Sequence, residues 1–170
     1  MPTKEDACMS VETTSCETHY RNPVIDQWKN LNIQKVKLEM YKNGNVAAFL
    51  VFGGFNASTE GKLDWFDQKF LTNSSWKDLN QREAVNMFNP RGEQDFNTMK
   101  RFCVIKENTG CNTESGWMMV IETTEHGKNC KYYDTEHLPA FLYSAKNTYS
   151  VWSNDIEHAD VLAIYGELGN

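Results

Sequence analysis

The residues from Gln34 to Phe52 show the pattern that organises the chain. Val36, Leu38 and Met40 alternate with Lys35, Lys37 and Glu39, the period of two that turns one face of an extended strand to water and the other to a core. Lys42-Asn43-Gly44-Asn45 follows. Asn-Gly accepts the positive φ of a type I′ turn, so a hairpin is predicted here. Its second arm, Val46–Phe52, is apolar on both faces and is expected inside a sheet, with Gly53-Gly54 ending or bulging it.

The same signals recur downstream. Arg101–Glu107 and Gly116–Thr123 read as strands from their apolar alternation and β-branched residues, with turn chemistry at Asn108-Thr109-Gly110. Ala140–Ser144 and Tyr149–Trp152 read as short aromatic strands, and Asp160–Glu167 as a further strand in a central position. Asn22-Pro23, Asn89-Pro90-Arg91-Gly92 and Glu125-His126-Gly127-Lys128 are turns by composition. Leu63–Phe66 and Lys69–Leu71 predict a strand and residues packed under a loop. Ser75-Trp76-Lys77-Asp78 resembles a capping sequence, which predicts a short helix over Asp78–Met87.

These elements amount to about seven to nine short strands with Gly, Asn and Pro between them, the signature of a sandwich or barrel. The expected fold is therefore all-β: an antiparallel β-sandwich or jelly-roll-like single domain over residues 23–170, with at most one or two short helices. No amphipathic helices alternate with the strands, so an α/β fold is excluded. Residues 1–22 are rich in Thr, Ser and Glu and read as a flexible N-terminal arm.

Composition narrows the function classes. The chain has 170 residues, enough to bury a core without depending on disulfides, and five Trp, seven Tyr and nine Phe to fill it. Its formal charge is −6 and its 17 basic residues are scattered, which excludes a nucleic-acid partner. No run is long and apolar enough for a membrane span. Two glycosylation acceptor sequences, at Asn56 and Asn73, point to surface loops of a secreted, extracellular glycoprotein. Met1–Asp6 lacks the apolar core of a signal peptide, so a secreted form is expected to have had its signal removed.

Of the five cysteines, Cys111 and Cys130 flank one strand and its turn and are the expected disulfide. Cys103 lies mid-strand and reads as a buried free thiol. Cys8 and Cys16 close a small loop or link chains into a homo-oligomer.

Candidate chemistry is sparse. No two of the four histidines are three or four residues apart, no Cys-x-x-Cys occurs, and neither a metal nor another cofactor is called for. The acidic groups Asp155, Glu157 and Asp160, and Asp64 with Asp67, do not follow the calcium-loop spacing and read as solvated turns. No Gly-x-Ser-x-Gly elbow is present, and burial would raise the pKa of Cys103, so the chain is not read as an enzyme.

Sugars are held by an aromatic face beside a few polar groups. Three tryptophans stand in such company: Trp65 with Asp64 and Asp67, Trp76 with Lys77 and Asp78, and Trp152 with Asn154 and Asp155. The competing reading makes them core anchors, as Trp117 is expected to be. The expected function is a secreted binding module that recognises a glycan or a cell-surface or matrix protein through loop aromatics and carboxylates. One alternative is a carrier of small apolar ligands in a closed β-barrel, although the expected Gly-x-Trp is missing at Trp28, which follows Asp26-Gln27. The other is a disulfide-linked structural component of a matrix or coat, suggested by the odd cysteine.

Overall fold

The computed structural model describes residues 7–8, 19–54, 64–92, 101–122, 130–133, 135 and 137–169. The strands are β1 (Ala7–Cys8), β2 (His19–Tyr20), β3 (Ile33–Lys42), β4 (Asn45–Gly53), β5 (Leu71–Ser74), β6 (Met87–Asn89), β7 (Arg101–Glu107), β8 (Ser115–Ile121), β9 (Ala140–Ser144), β10 (Ser150–Val151), β11 (Ile156–Ala159) and β12 (Val161–Leu168). The molecule is an all-β sandwich of two antiparallel sheets. The first has the order β12-β3-β4-β5; the second runs β11-β9-β8-β7-β6, with β10 also paired to β8. β1 and β2 form a separate parallel pair.

The hairpin of β3 and β4 forms as its alternation predicts. Asn43 and Gly44 both take positive φ, 52° and 75°, as a type I′ turn requires. Val36, Leu38 and Met40 then point into the sandwich with Ala48, Leu50 and Phe52, all at most 2 % exposed. Across the core they join a cluster that includes Val104, Met118 and Tyr143 of the second sheet.

The second sheet is covered on both faces. Val104 and Met118 face the first sheet, whereas Cys103, Ile105, Met119, Ile121 and Leu142 form a second cluster with Tyr132 and Trp152. Every residue of β8 is consequently buried. A disulfide joins Cys111 to Cys130, with 4.9 Å between their Cα atoms. It secures the segment that delivers Tyr132 to the second cluster. Cys103 is a buried free thiol whose Sγ donates to Met87 Sδ at 3.2 Å.

Four expectations change. No helix runs over Asp78–Met87; turns lead instead into β6. The side chain of Gln68 donates to the carbonyls of Asn80 and Glu83, and the Ser74 hydroxyl reaches that of Leu79 at 3.0 Å. Side-chain donors thus take carbonyls that a helix would use. Asp64–Phe66 is a 3-10 turn rather than a strand. Asp160–Glu167 does form a strand, β12, but at the edge of its sheet rather than in the centre. Finally, the two sheets do not close into a barrel among the described residues.

β6, β11 and a 3-10 segment over Pro23–Asn30 had no clear signal in the sequence, nor had the β1–β2 pair inside the segment expected to be a flexible arm. In the 3-10 segment, Asn22 Oδ1 caps Val24 N at 3.0 Å, Pro23 opens the turn, and Trp28 is buried against the core. The first acceptor site, Asn56, the turn over residues 125–128, and Cys16 lie outside the described residues.

Candidate functional site

The three tryptophans expected at the surface are inside the molecule. Trp65 is 0 %, Trp76 2 % and Trp152 1 % exposed. Trp65 and Trp76 belong to the core between the sheets, and Trp152 to the second cluster. An indole enclosed in this way offers no face for a sugar to stack on, so the core-anchor reading replaces the platform reading for all three. Their polar neighbours are also committed. Asp67 caps Lys69 N at 3.0 Å and pairs with Arg91 at 3.6 Å. Trp76 Nε1 donates to Ser144 O at 3.1 Å, tying the β5 turn to β9. Asp78 accepts from Trp117 Nε1 at 2.8 Å and from Tyr149 N at 3.1 Å. Asp155 pairs with Lys146 at 2.6 Å. Asp64 flanks Trp65 in the 3-10 turn and is half-buried. These residues do not meet in one site.

The carboxylates considered for calcium have separate partners too. Glu157 accepts from Lys42 Nζ at 2.7 Å and Tyr143 Oη at 2.8 Å, and Asp160 accepts from Asn43 N at 2.7 Å. Among the described residues no group of three or more His, Cys, Asp and Glu side chains is placed to hold a metal.

The structure assembles a different constellation on the outer face of the first sheet. Because facing residues of paired strands share a face, the register puts Tyr165, Lys37, Val51 and Asn73 in one row across β12, β3, β4 and β5. Ala163, Glu39 and Phe49 form the next row. At the centre of this face Glu39 Oε2 accepts from Tyr41 Oη at 2.5 Å, and its Oε1 pairs with Lys37 Nζ at 3.0 Å. Tyr41 Oη also lies 3.3 Å from Tyr165 Oη.

The electrostatics follow from this geometry. Burial opposes the charged form of Glu39, but hydrogen bonds from Tyr41 and Lys37 outweigh it and hold the carboxyl below its ordinary value. The bond to Glu39, then that to Tyr165, pushes the Tyr41 phenol above its usual range. Glu39 is therefore an oriented carboxylate at neutral pH, with acceptor capacity beyond its two partners. Around it Tyr165 is 48 % exposed, and Tyr41, Phe49 and Val51 are half-buried. The face thus combines aromatic surface with a fixed anion and the lysine paired to it.

Asn73, of the second Asn-x-Ser sequence, lies on the same face at the opposite edge of the sheet. It is exposed on β5 rather than in a turn. A groove of about 330 Å³ borders it and reaches Trp76, Lys77 and Asn80.

The outer-face cluster escaped the sequence reading because Tyr41 and Tyr165 are 124 positions apart. The local signal was only that Lys37, Glu39 and Tyr41 share the wet side of one strand. No protein-family model, no curated protein and no solved structure matches this chain.

Proposed function

We propose that this protein is a secreted β-sandwich binding module that takes a glycan on the outer face of its first sheet. The observation that carries the reading is the Lys37–Glu39–Tyr41–Tyr165 cluster. A sugar needs an apolar face for its C–H groups and fixed polar partners for its hydroxyls. The tyrosines and Phe49 supply the first, and the held carboxylate with Lys37 the second. The Cys111–Cys130 disulfide supports an oxidising compartment, as do the acceptor sequences at Asn56 and Asn73.

A glycan array probed with the purified protein tests this. Binding is expected, and Tyr165→Ala is expected to weaken it about tenfold, the equivalent of about 1.4 kcal/mol. Glu39→Gln, which removes the charge but keeps the shape, should also weaken it. Undiminished binding by Tyr165→Ala would reject this face as the site. Silence across the array, with retention of the protein on immobilised matrix proteins, would assign the face to a protein partner instead.

A further inference from the structure

We propose that two copies of this chain join edge to edge through β12, forming one continuous eight-stranded sheet about a two-fold axis at Tyr165. Exposed sheet edges in soluble proteins are commonly short, charged or interrupted. Among the described residues, three of the four edges of the two sandwich sheets fit that rule. β5 has four residues, mostly polar; β6 has three; β11 has four, including Glu157 and His158. β12 departs from it. It runs for eight residues, and Glu167 is its sole charge. Its register with β3 is regular until the shift between Glu167 and Leu168. Among the described residues no strand pairs with its other side. Val161, Ile164, Tyr165 and Leu168 are 44 to 58 % exposed along it.

The inner face of β12 makes the case sharper. Ile164 lies beside buried Leu38 and Leu168 beside buried Ile33, yet both overhang the core in solvent. Gly166 stands between them. A Cβ built there meets nothing nearer than Ile33 at 3.6 Å, an ordinary contact, and its φ is not in the left-handed region. The chain's own packing therefore does not require glycine at this point. A glycine inside a strand weakens it, and such a position often marks the close approach of another molecule.

A second copy supplies that molecule. Facing residues in an antiparallel pair share a face, so a two-fold axis perpendicular to the sheet must centre on a residue rather than between two. Centred on Tyr165, it sets Ile164 of each copy over Gly166 of the other, and Leu162 against Leu168. All inner-face partners are then apolar, and each isoleucine enters the space left by a glycine. Centred on Ile164, the axis would set exposed Leu168 against Asp160, a worse match. The strand is complementary to itself in the first register, which selects a second copy over a foreign peptide. The paired sheets would carry their Tyr41–Tyr165 clusters side by side on one surface.

Sedimentation velocity over a concentration series tests the proposal. The protein is expected to reach twice the monomer mass. Ile164→Lys should remain monomeric at the same concentrations with an unchanged β-type circular dichroism spectrum, and Gly166→Val should dissociate at higher concentration than the parent protein. Oxidised Tyr165→Cys, whose thiols would face each other across the axis, should give a covalent dimer on a non-reducing gel, and Ala163→Cys should not. A parent protein monomeric throughout would overturn the proposal, as would a dimer unaffected by Ile164→Lys. Equal cross-linking by both cysteine variants would overturn the register. Ile164 and Gly166 lie on the inner face, away from Glu39 and Tyr41, so failure of this proposal is distinguishable from failure of the glycan reading.

Discussion

Glycine at position 116 shows how little space a single site has. A Cβ there would come within 2.6 Å of Val104 O and 2.7 Å of the Trp152 ring, with Ile105 Cα at 3.0 Å. Two of the three obstacles are backbone atoms, which cannot rotate aside. Gly116→Ala is therefore expected to cost about 1–3 kcal/mol through overpacking, and urea denaturation of the variant would measure it. Gly166 gives the opposite case, a glycine with room around it in its own chain, and that contrast is what makes its presence informative. Glu39 illustrates a third situation. A carboxylate at 7 % exposure on an outward-facing row is tolerated because Tyr41 and Lys37 bond to it.

Between elements, the Lys42–Glu157 pair joins β3 of one sheet to β11 of the other, and Tyr143 of β9 bonds to the same carboxylate. Hydrogen bonds from Lys42 and Tyr143 hold the Glu157 carboxyl below its ordinary value. Between that lowered value and the ordinary one, the unfolded chain binds the proton more readily than the folded protein. The contribution of Glu157 is thus present above the unfolded value and lost as pH falls through the folded one. Tyr143 behaves in the opposite sense. Burial first, then its bond to Glu157, pushes its phenol up to about 12. Its contribution is complete below the ordinary value of 10.0 and lost as pH rises through about 12. Urea midpoints across pH should therefore fall at both extremes. Lys42→Ala should flatten the acid limb and Tyr143→Phe the alkaline one; unchanged slopes in both variants would contradict the assignment.

For the molecule as a whole, the unequal covering of its two sheets is the main architectural fact. Among the described residues the first sheet has one open face, where the proposed ligand site lies. The second is buried on both faces, and its outer covering depends on Tyr132, Trp152 and the segment held by Cys111–Cys130. With a sequence separation of 19 between the cysteines, loop-closure entropy assigns the bond about 3 kcal/mol. Replacing both cysteines by serine is expected to lower stability by about that amount in urea titrations. The outer cluster should loosen first, seen as faster amide exchange in β8 and β9 than in β3 and β4. Uniform loss of protection over both sheets would show that the disulfide acts on the whole sandwich instead.

The amino-acid pattern alone determined the longer extended segments, the Asn43-Gly44 turn and the antiparallel class of the fold, because each rests on local alternation or backbone preference; it favoured the Cys111–Cys130 pair but did not fix it, since spacing does not set connectivity. It could not rank the tryptophans. Trp65, Trp76 and Trp152 have polar neighbours in sequence, and nothing local says whether an indole points into a core or out of it. Nor could it order the strands: the apolar β12 reads as central, but it lies at the edge, since position in a sheet depends on which strands pair across the chain. The helix expected over Asp78–Met87 yielded to Gln68 and Ser74, whose hydrogen bonds to its carbonyls come from a preceding 3-10 turn and from the end of β5. Tertiary folding alone brought Tyr165 to Tyr41 and Glu39, because residues so far apart share a face only after two strands have found each other and their register.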